Sequence, residues 1–301
     1  MNIEFIDVVQ ALIDGVLYGS TYALIGLGFT LIFGAMEKLN MAYAASSIGG
    51  AYVGLGVSVL FSLPLFAIFL IGPIGGGLLS FLVYICCFRY LPSNNHLAAL
   101  MASIGGLFFI DEIISHETDG SPLEFPELGI FSEAYFEIEF SDMFLGFRGD
   151  LIFVMFASFL AMLMLMYLLY KTRLGLATRA VSQQPIAAQL CGISVEKTNS
   201  LVFVIAGFIG GLAGAMTSAS IGLLSPMLIL PFTVKGLIVT VIGGLGSIPG
   251  AIIAGLMLGG FENVFMALRG VTERDMYVML LLFVFLIFRP QGLFSNSVNR
   301  D

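Results

Sequence analysis

The chain is 301 residues long, with 58% of its residues from the AVILMFWYC set, 11% charged, and a net charge of −8; its mean hydropathy is +1.02. A soluble domain carries about 25% charged residues, so one soluble core could not bury this much apolar surface, and a soluble enzyme is excluded. Aperiodic glycine, 3 cysteines and the negative charge exclude collagen, a disulfide-stapled domain and a nucleic-acid binder, and the apolar content excludes a disordered chain.

The apolar stretches are continuous over about 20 residues, enough to cross ~30 Å as helix, whereas a membrane β-barrel would show ~10-residue segments of alternating polarity. The expected fold is all-α, a polytopic integral membrane helical bundle. In chain order the spans fall near 8–33, 41–61, 64–88, 97–110, 151–170, 201–224, 231–245, 248–268 and 276–288, which makes eight or nine crossings. Asn2, Glu4 and Asp7 precede the first span without the basic residues of a signal peptide, so this span reads as retained. The run 97–110 is short, and the Asp111, Glu112 pair marks its arrival at an interface. The run 231–245 is also short and opens on proline, which leaves two readings, a full crossing or a re-entrant segment held against protein. Cys86 and Cys87 close an apolar span and Cys191 lies in a polar loop, so all three read as unpaired.

Two loops interrupt the apolar pattern. The loop 115–149 carries Glu117, Asp119, Glu124, Glu127, Glu133, Glu137, Glu139 and Asp142 against Arg148 alone; the loop 171–197 carries Lys171, Arg173, Arg179 and Lys197 against Glu196 alone. Basic residues stay on the cytoplasmic side, which places 171–197 inside and 115–149 outside. With nine spans the N-terminus is outside, the C-terminus inside, and Lys38, Arg89, Arg289 and Arg300 join the inner set, leaving Arg148, Arg269 and Arg274 outside. A re-entrant 231–245 exchanges Arg269 and Arg274 with Arg289 and Arg300 and leaves the same tally, so charge does not choose between the two.

Glycine, 36 residues, is at roughly twice its usual frequency. Helices in lipid associate through close backbone approach at small residues, and pairs four apart recur at Gly15 and Gly19, Gly72 and Gly76, Gly207 and Gly211, Gly210 and Gly214, Gly246 and Gly250, and Gly255 and Gly259. The run Gly243, Gly244, Gly246, Pro249, Gly250 lacks the strand and spacing of a phosphate-binding turn and reads as a tight hairpin, with Pro249 opening the next helix. The chain has no GxxxxGK[ST], and His96 and His116 fall on opposite sides of the membrane, so neither a nucleotide site, a catalytic group nor a metal site is expected. Charges within spans are few. Lys235 and Glu262 stand on segments joined by the hairpin and can pair inside the bundle, or each can reach an interface; Asp14 is expected near the external headgroups. Within 171–197, RAVSQQPIAAQLCG can form a short helix that begins at Pro185 and stops at Gly192, a shape suited either to docking on another protein or to a solvated loop.

Four stretches carry a resemblance: GVLYGSTYALIGLGFTLIFGAM (15–36), TRLGLATRAVSQQPIAAQLCGISVEKTN (172–199), FTVKGLIVTVIGGLGSIPGAIIAGLMLGGFE (232–262) and FRPQGLF (288–294). With the order of the spans they cover nearly the whole chain, which resembles the membrane permease of bacterial branched-chain amino acid ABC transporters, the high-affinity systems for leucine, isoleucine and valine. The resemblance implies an ABC importer permease fold over 1–301, a multi-pass place in the bacterial inner membrane, and no cofactor bound by the chain itself. It also implies partners: two cytoplasmic ATPases that use the ATP, an extracytoplasmic binding protein, and a second permease, either related or identical. It maps the segment that docks on the ATPase to Gln184, Pro185, Ala187, Ala188, Gly192 and Ile193.

Two departures stand out. Where the family commonly carries N-F-A-H-G-E, this chain has Asn40, Met41, Ala42, Tyr43, Ala44, Ala45, and the acidic residue common before the paired alanines of the docking segment is Ile186. Asn40, Lys235 and Glu262 are the pathway or gating candidates. The competing functions are a urea or short-amide permease of the same superfamily and a stand-alone secondary transporter or channel; the latter calls for paired intramembrane charges or an inverted repeat.

Overall fold

A computed structural model of the chain describes residues 5–91, 96–126, 128, 135–140, 143–289 and 292–294. Glu127, Glu133, Asp142, Pro290, Gln291 and Arg300, which enter the charge and motif readings above, lie outside the described residues. The chain runs through α1 (Phe5–Met36), α2 (Ala42–Leu60), a 3-10 turn at Leu65–Ala67, α3 (Ile68–Val83) with a π turn at Tyr84–Phe88, and α4 (His96–Glu117). Strands β1 (Leu123–Glu124), β2 (Tyr135–Phe140) and β3 (Met143–Arg148) follow, then α5 (Gly149–Lys171), α6 (Arg173–Gln183) and α7 (Pro185–Leu190). Then come α8 (Val195–Ile221), β4 (Leu223–Leu224), a second 3-10 turn at Pro226–Leu228, α9 (Ile229–Gly243), α10 (Ile248–Arg269), a third at Val271–Glu273 and α11 (Arg274–Phe288). Eight of the described helical stretches are long and apolar enough to cross a membrane.

At the centre stands α1. Every residue from 19 to 32 is buried, as expected of a helix apolar on all sides and surrounded by α8, α9, α10 and α5. The glycine pairs explain how so many helices close around it. Gly15 and Gly19 face Gly259 and Gly255 backbone to backbone, so α1 and α10 cross with no side chain between them. Gly72 and Gly76 of α3 meet Gly207 and Gly211 of α8 in the same way, and Gly210 and Gly214 seat Tyr43 and Ser47 of α2. The pair Gly246 and Gly250 behaves differently from expectation. It lies in the α9–α10 hairpin, where the close approach is between Gly243 and Gly250, because the turn doubles the chain back within four residues.

Both short ribbons, β1 with β4 and β2 with β3, gather at the end of the bundle that bears the acidic loop. The loop 115–149 is thus partly a hairpin, since YFEIEF alternates apolar and acidic residues at the period of a strand. The expected end of the fourth span at Ile110 is also revised. Helix α4 runs on to Glu117, carrying Glu112 on an exposed face, where no neighbouring helix asks it to be apolar.

The seventh span is a crossing. Its chain enters from β4, paired with β1 at the acidic end, and α9 leaves into the glycine hairpin, where Gly246 packs on Gly34 near the opposite end of α1. Helix α11 has 15 residues, about 22 Å at 1.5 Å per residue. It starts beside Glu262 and returns to the hairpin: Leu293 N–H donates to Ile242 O at 2.8 Å and Phe294 N–H to Gly243 O at 3.3 Å. The described segment after α11 therefore lies on the hairpin side, while α11 itself, at 15 residues, is not among the eight helices long and apolar enough to cross a membrane.

Candidate functional site

Two constellations stand at opposite ends of the bundle. Toward the acidic end, Lys235 of α9 and Glu262 of α10 are both buried, and Lys235 Nζ contacts Glu262 Oε1 at 2.6 Å. Arg274, in the first turn of α11, reaches the same oxygen through Nε at 2.5 Å. Tyr22, from the middle of α1, donates its hydroxyl to Glu262 Oε1 at 3.2 Å and accepts from Lys235 Nζ at 3.0 Å. The Lys235 ammonium also lies 5.0 Å from the Tyr22 ring centroid, within reach of the π face. Asp275 stands 3.6 Å from Lys235 and 3.8 Å from Arg274. One carboxylate oxygen thus ties four helices together. An arginine in the first turn of a helix opposes the helix dipole, and here the Glu262 carboxylate supplies the compensating charge.

Glu262 lies seven residues before the end of α10, about 10 Å in from the acidic end. Above it opens a cavity of about 660 Å³ whose walls include Gln10, Asp14, Tyr18, Arg148, Asn263 and Arg274. Asp14, expected among the headgroups, is in this wall and accepts a hydrogen bond from Gln10 Nε2 at 3.0 Å. The same Gln10 side chain makes two bonds to the backbone of Gly146, donating to its carbonyl at 2.6 Å and accepting from its N–H at 3.1 Å. This clamps β3 onto α1 and fixes the rim. Arg148 forms a bidentate pair with Asp150, at 3.2 and 2.6 Å.

At the basic end the segment from 171 to 197 is more ordered than a loop. Thr172 caps α6, its Oγ1 accepting from Gly175 N–H at 3.4 Å, and α7 begins at Pro185 as expected. It ends in a Schellman pair of bonds, Gly192 N–H to Gln189 O at 2.9 Å and Ile193 N–H to Ala188 O at 3.0 Å. Gly192 takes φ +83°, a conformation only glycine adopts without strain. Ala188 is the buried side of α7, whereas Ile186 and Leu190, one turn apart, are 72% and 86% exposed and form an apolar ridge away from the bundle. The segment is tied to the spans just beyond it. Glu196, in the first turn of α8, pairs with Arg89 at 2.6 Å, and its carbonyl accepts from Tyr84 in the π turn at 3.2 Å.

Of the sequence candidates, Lys235 and Glu262 are brought together. Asn40 stands at the other end, in the turn between α1 and α2, where its Oδ1 accepts from Ala42 N–H at 3.1 Å and starts α2. Gly243, Gly244, Gly246, Pro249 and Gly250 form the hairpin: Gly244 and Gly246 have φ +100° and +85°, and Ser247 caps α10 by accepting from Gly250 N–H at 3.3 Å. Arg274, Tyr22 and Gln10 were not among the sequence candidates. Arg274 read as a loop charge; its place just before an apolar run, where a cation opposes the coming helix dipole, was the available signal.

Residues 11–288 match the family described as the branched-chain amino acid transport system permease component. The chain belongs to this family. Its members are transport components rather than enzymes. The chain is 29% identical to the high-affinity branched-chain amino acid transport system permease protein BraD of Pseudomonas aeruginosa, with 97% of each chain covered. It is 27% identical to the permease protein LivH of the same kind of system in Escherichia coli, with 98% of each chain covered. It is also 25% identical to a second E. coli permease protein so described, LivM, over 90% of this chain and 67% of that one. The permease is a multi-pass membrane protein, and its acidic end carries the polar cavity while its basic end carries the ridged helix α7.

Proposed function

We propose that this permease imports branched-chain amino acids, as one of two membrane subunits of an ATP-driven system in the bacterial inner membrane. Residues 1–301 act as one membrane domain, with the acidic loop 115–149 outside and the coupling segment 171–197 in the cytoplasm. A second permease completes the path, two ABC ATPases hydrolyse ATP, and an extracytoplasmic binding protein delivers substrate at the acidic end. The likeness to two different E. coli permease proteins supports a heterodimer of related subunits.

The observation that carries the reading is α7. An exposed apolar ridge of Ile186 and Leu190 on a six-residue helix has no use in water and fits a hydrophobic groove on a partner. Gln184, Pro185, Ala187, Ala188, Gly192 and Ile193 set the shape of this element, through the proline start, the small inner face and the glycine stop. When ATP closes the ATPases, α7 moves with them, and α6 and α8 pass the displacement to the spans as a rigid-body rotation. Glu196 with Arg89 and Tyr84 is the first joint on that route. Asn40 gates at the cytoplasmic end; Lys235 and Glu262 hold the external end.

The charged network is the feature that a stand-alone transporter would also show. Its position near one end, with two cations on one carboxylate oxygen, fits a brace between helices better than a carrier site at the midplane. The test is a mild-detergent pull-down of the tagged permease from its native membranes. Wild type is expected to bring down a P-loop ATPase and a second permease. The variant Ile186→Asp, Leu190→Asp is expected to keep the second permease and lose the ATPase at least tenfold. Recovery of the folded wild type alone would overturn the reading.

A further inference from the structure

The basic end of α5 carries groups that neither the bracing network nor the α7 ridge uses. Phe156, Leu160, Leu163 and Tyr167 are exposed in one stripe along α5, and an apolar stripe left open on a spanning helix faces lipid. The stripe ends at Tyr170, also exposed, and tyrosine at the end of a span marks the level of the headgroups. There the chain turns sharply. Thr172 is extended, and Gly175 lies so close to Leu169 that a Cβ would overlap its carbonyl. Helix α6 therefore folds back on the last turn of α5 and carries Arg179 onto Tyr170, the guanidinium 5.7 Å from the ring centroid. Lys171, Arg173 and Arg179 are all exposed, and no Asp or Glu occurs from 171 to 195. The ion pairs of the described residues engage Arg89, Arg148, Lys235 and Arg274 and none of these three.

Two adjoining cavities open beside Arg179. One, of about 150 Å³, has Thr178, Arg179 and Ser182 in its wall; the other, of about 460 Å³, reaches Ser247 in the α9–α10 hairpin, and the two share Tyr170, Gly246 and Ile248. Arg179 Nε donates to Gly175 O at 3.4 Å, which leaves both Nη groups outside that bond. Thr178 and Ser182 donate their hydroxyls to Leu174 O and Arg179 O, each at 2.9 Å, so toward a ligand their oxygens act as acceptors. A soluble anion would meet the cations and leave the apolar stripe bare. A zwitterionic phospholipid brings an ammonium that three cations repel. An acidic protein surface would meet the cations too, but Arg179 stands at the foot of a lipid-facing stripe, where headgroups are. We infer that the junction of α5 and α6 binds an anionic phospholipid of the leaflet at the basic end. Its phosphate lies on Arg179 with Lys171 and Arg173 close by, its headgroup hydroxyls on Thr178 and Ser182, and its chains along the α5 stripe. Since α6 runs into α7 through Gln184 alone, the bound lipid steadies the base from which the α7 ridge projects. The inference rests on α5 crossing the membrane and not on the importer reading.

The test is native mass spectrometry of the purified permease, with whatever subunits accompany it, after addition of phosphatidylglycerol or of phosphatidylcholine with the same chains. Wild type is expected to retain phosphatidylglycerol at least about tenfold better, and less of it as salt is raised. Arg179→Gln is expected to lower that retention about fivefold, the worth of one basic residue at an anionic surface. Arg179→Lys is expected to recover part of it, and Arg269→Gln, exposed at the acidic end, to change nothing. Should Arg179→Gln lose its monodisperse peak, Lys171→Gln with Arg173→Gln, both at exposed positions, carries the same expectation. Equal retention of the two lipids overturns the site, as does retention of phosphatidylglycerol unchanged by these variants. Displacement by soluble glycerol 3-phosphate also overturns it, because the ligand is then a free phosphate. So does phosphatidylglycerol that is excluded from wild type and retained by Ile186→Asp, Leu190→Asp, because α6 is then covered by a protein partner.

Discussion

Gly255→Ile is expected to leave no folded permease in the membrane. A Cβ at Gly255 falls on the backbone nitrogen and Cα of Ala23 in the most buried stretch of α1, and a backbone cannot rotate out of the way as a side chain can. Helix α10 would have to move outward along the whole seam, including Gly259 against Gly15 and Gly19. Separation removes the dispersion contacts that hold helices together in lipid, where no hydrophobic driving force replaces them. The readout is the monodisperse peak of the detergent-solubilised protein, expected to be lost. Gly56→Ala and Gly105→Ala provide the contrast, because nothing lies within 4 Å of the Cβ at either position. Both are expected to be neutral or to gain up to about 1 kcal/mol of helix propensity. A folded, monodisperse Gly255→Ile would mean that α1 and α10 do not cross as described.

The second large effect is an asymmetry within the charged network. Glu262→Gln removes the buried anion that the two cations share, leaving Lys235 buried and Arg274 mostly so, with only the exposed Asp275 nearby at 3.6 and 3.8 Å. Removing one partner of a buried pair costs about 3–5 kcal/mol, since the remaining buried charge loses its counter-ion, and Asp275, exposed to solvent, replaces it poorly. Lys235→Met leaves Glu262 still paired with Arg274, and the new side chain fills the same space with apolar atoms. Its cost is expected to be well under half that of Glu262→Gln. Thermal unfolding in detergent compares them, and equal losses would show that Arg274 does not contribute as described.

The sequence made the helices and their order readable because a bilayer demands continuous apolar stretches, and the charge asymmetry of 115–149 and 171–197 gave them an expected orientation. Glycine spacing foretold seams but not partners. That Gly15 and Gly19 meet Gly259 and Gly255 depends on which helices lie side by side, which is a property of the whole bundle. Pro185 and Gly192 bounded α7 correctly, since a proline start and a glycine stop are local signals. The preceding helix α6 went unread because its charged residues made it look like loop. The Lys235 and Glu262 pair was one of two open readings. Arg274, Tyr22 and Gln10 stayed hidden, because each has a partner on another element twelve or more positions away in the chain. The FRPQGLF stretch was recognised as a motif, and only the structure gives it a physical role: Gly292 packs on Gly244, and residues 293 and 294 bond to the end of α9.

ATP-dependent uptake of L-leucine into proteoliposomes tests the central claim most directly. The vesicles would hold the permease with the subunits that co-purify with it, with ATP inside and binding protein outside. Uptake is expected to require both ATP and the binding protein, and to fall at least tenfold with Ile186→Asp, Leu190→Asp, although that variant is still inserted and folded. Uptake that proceeds at the same rate without ATP, or that is unaffected by the loss of the α7 ridge, would contradict an importer driven through this helix.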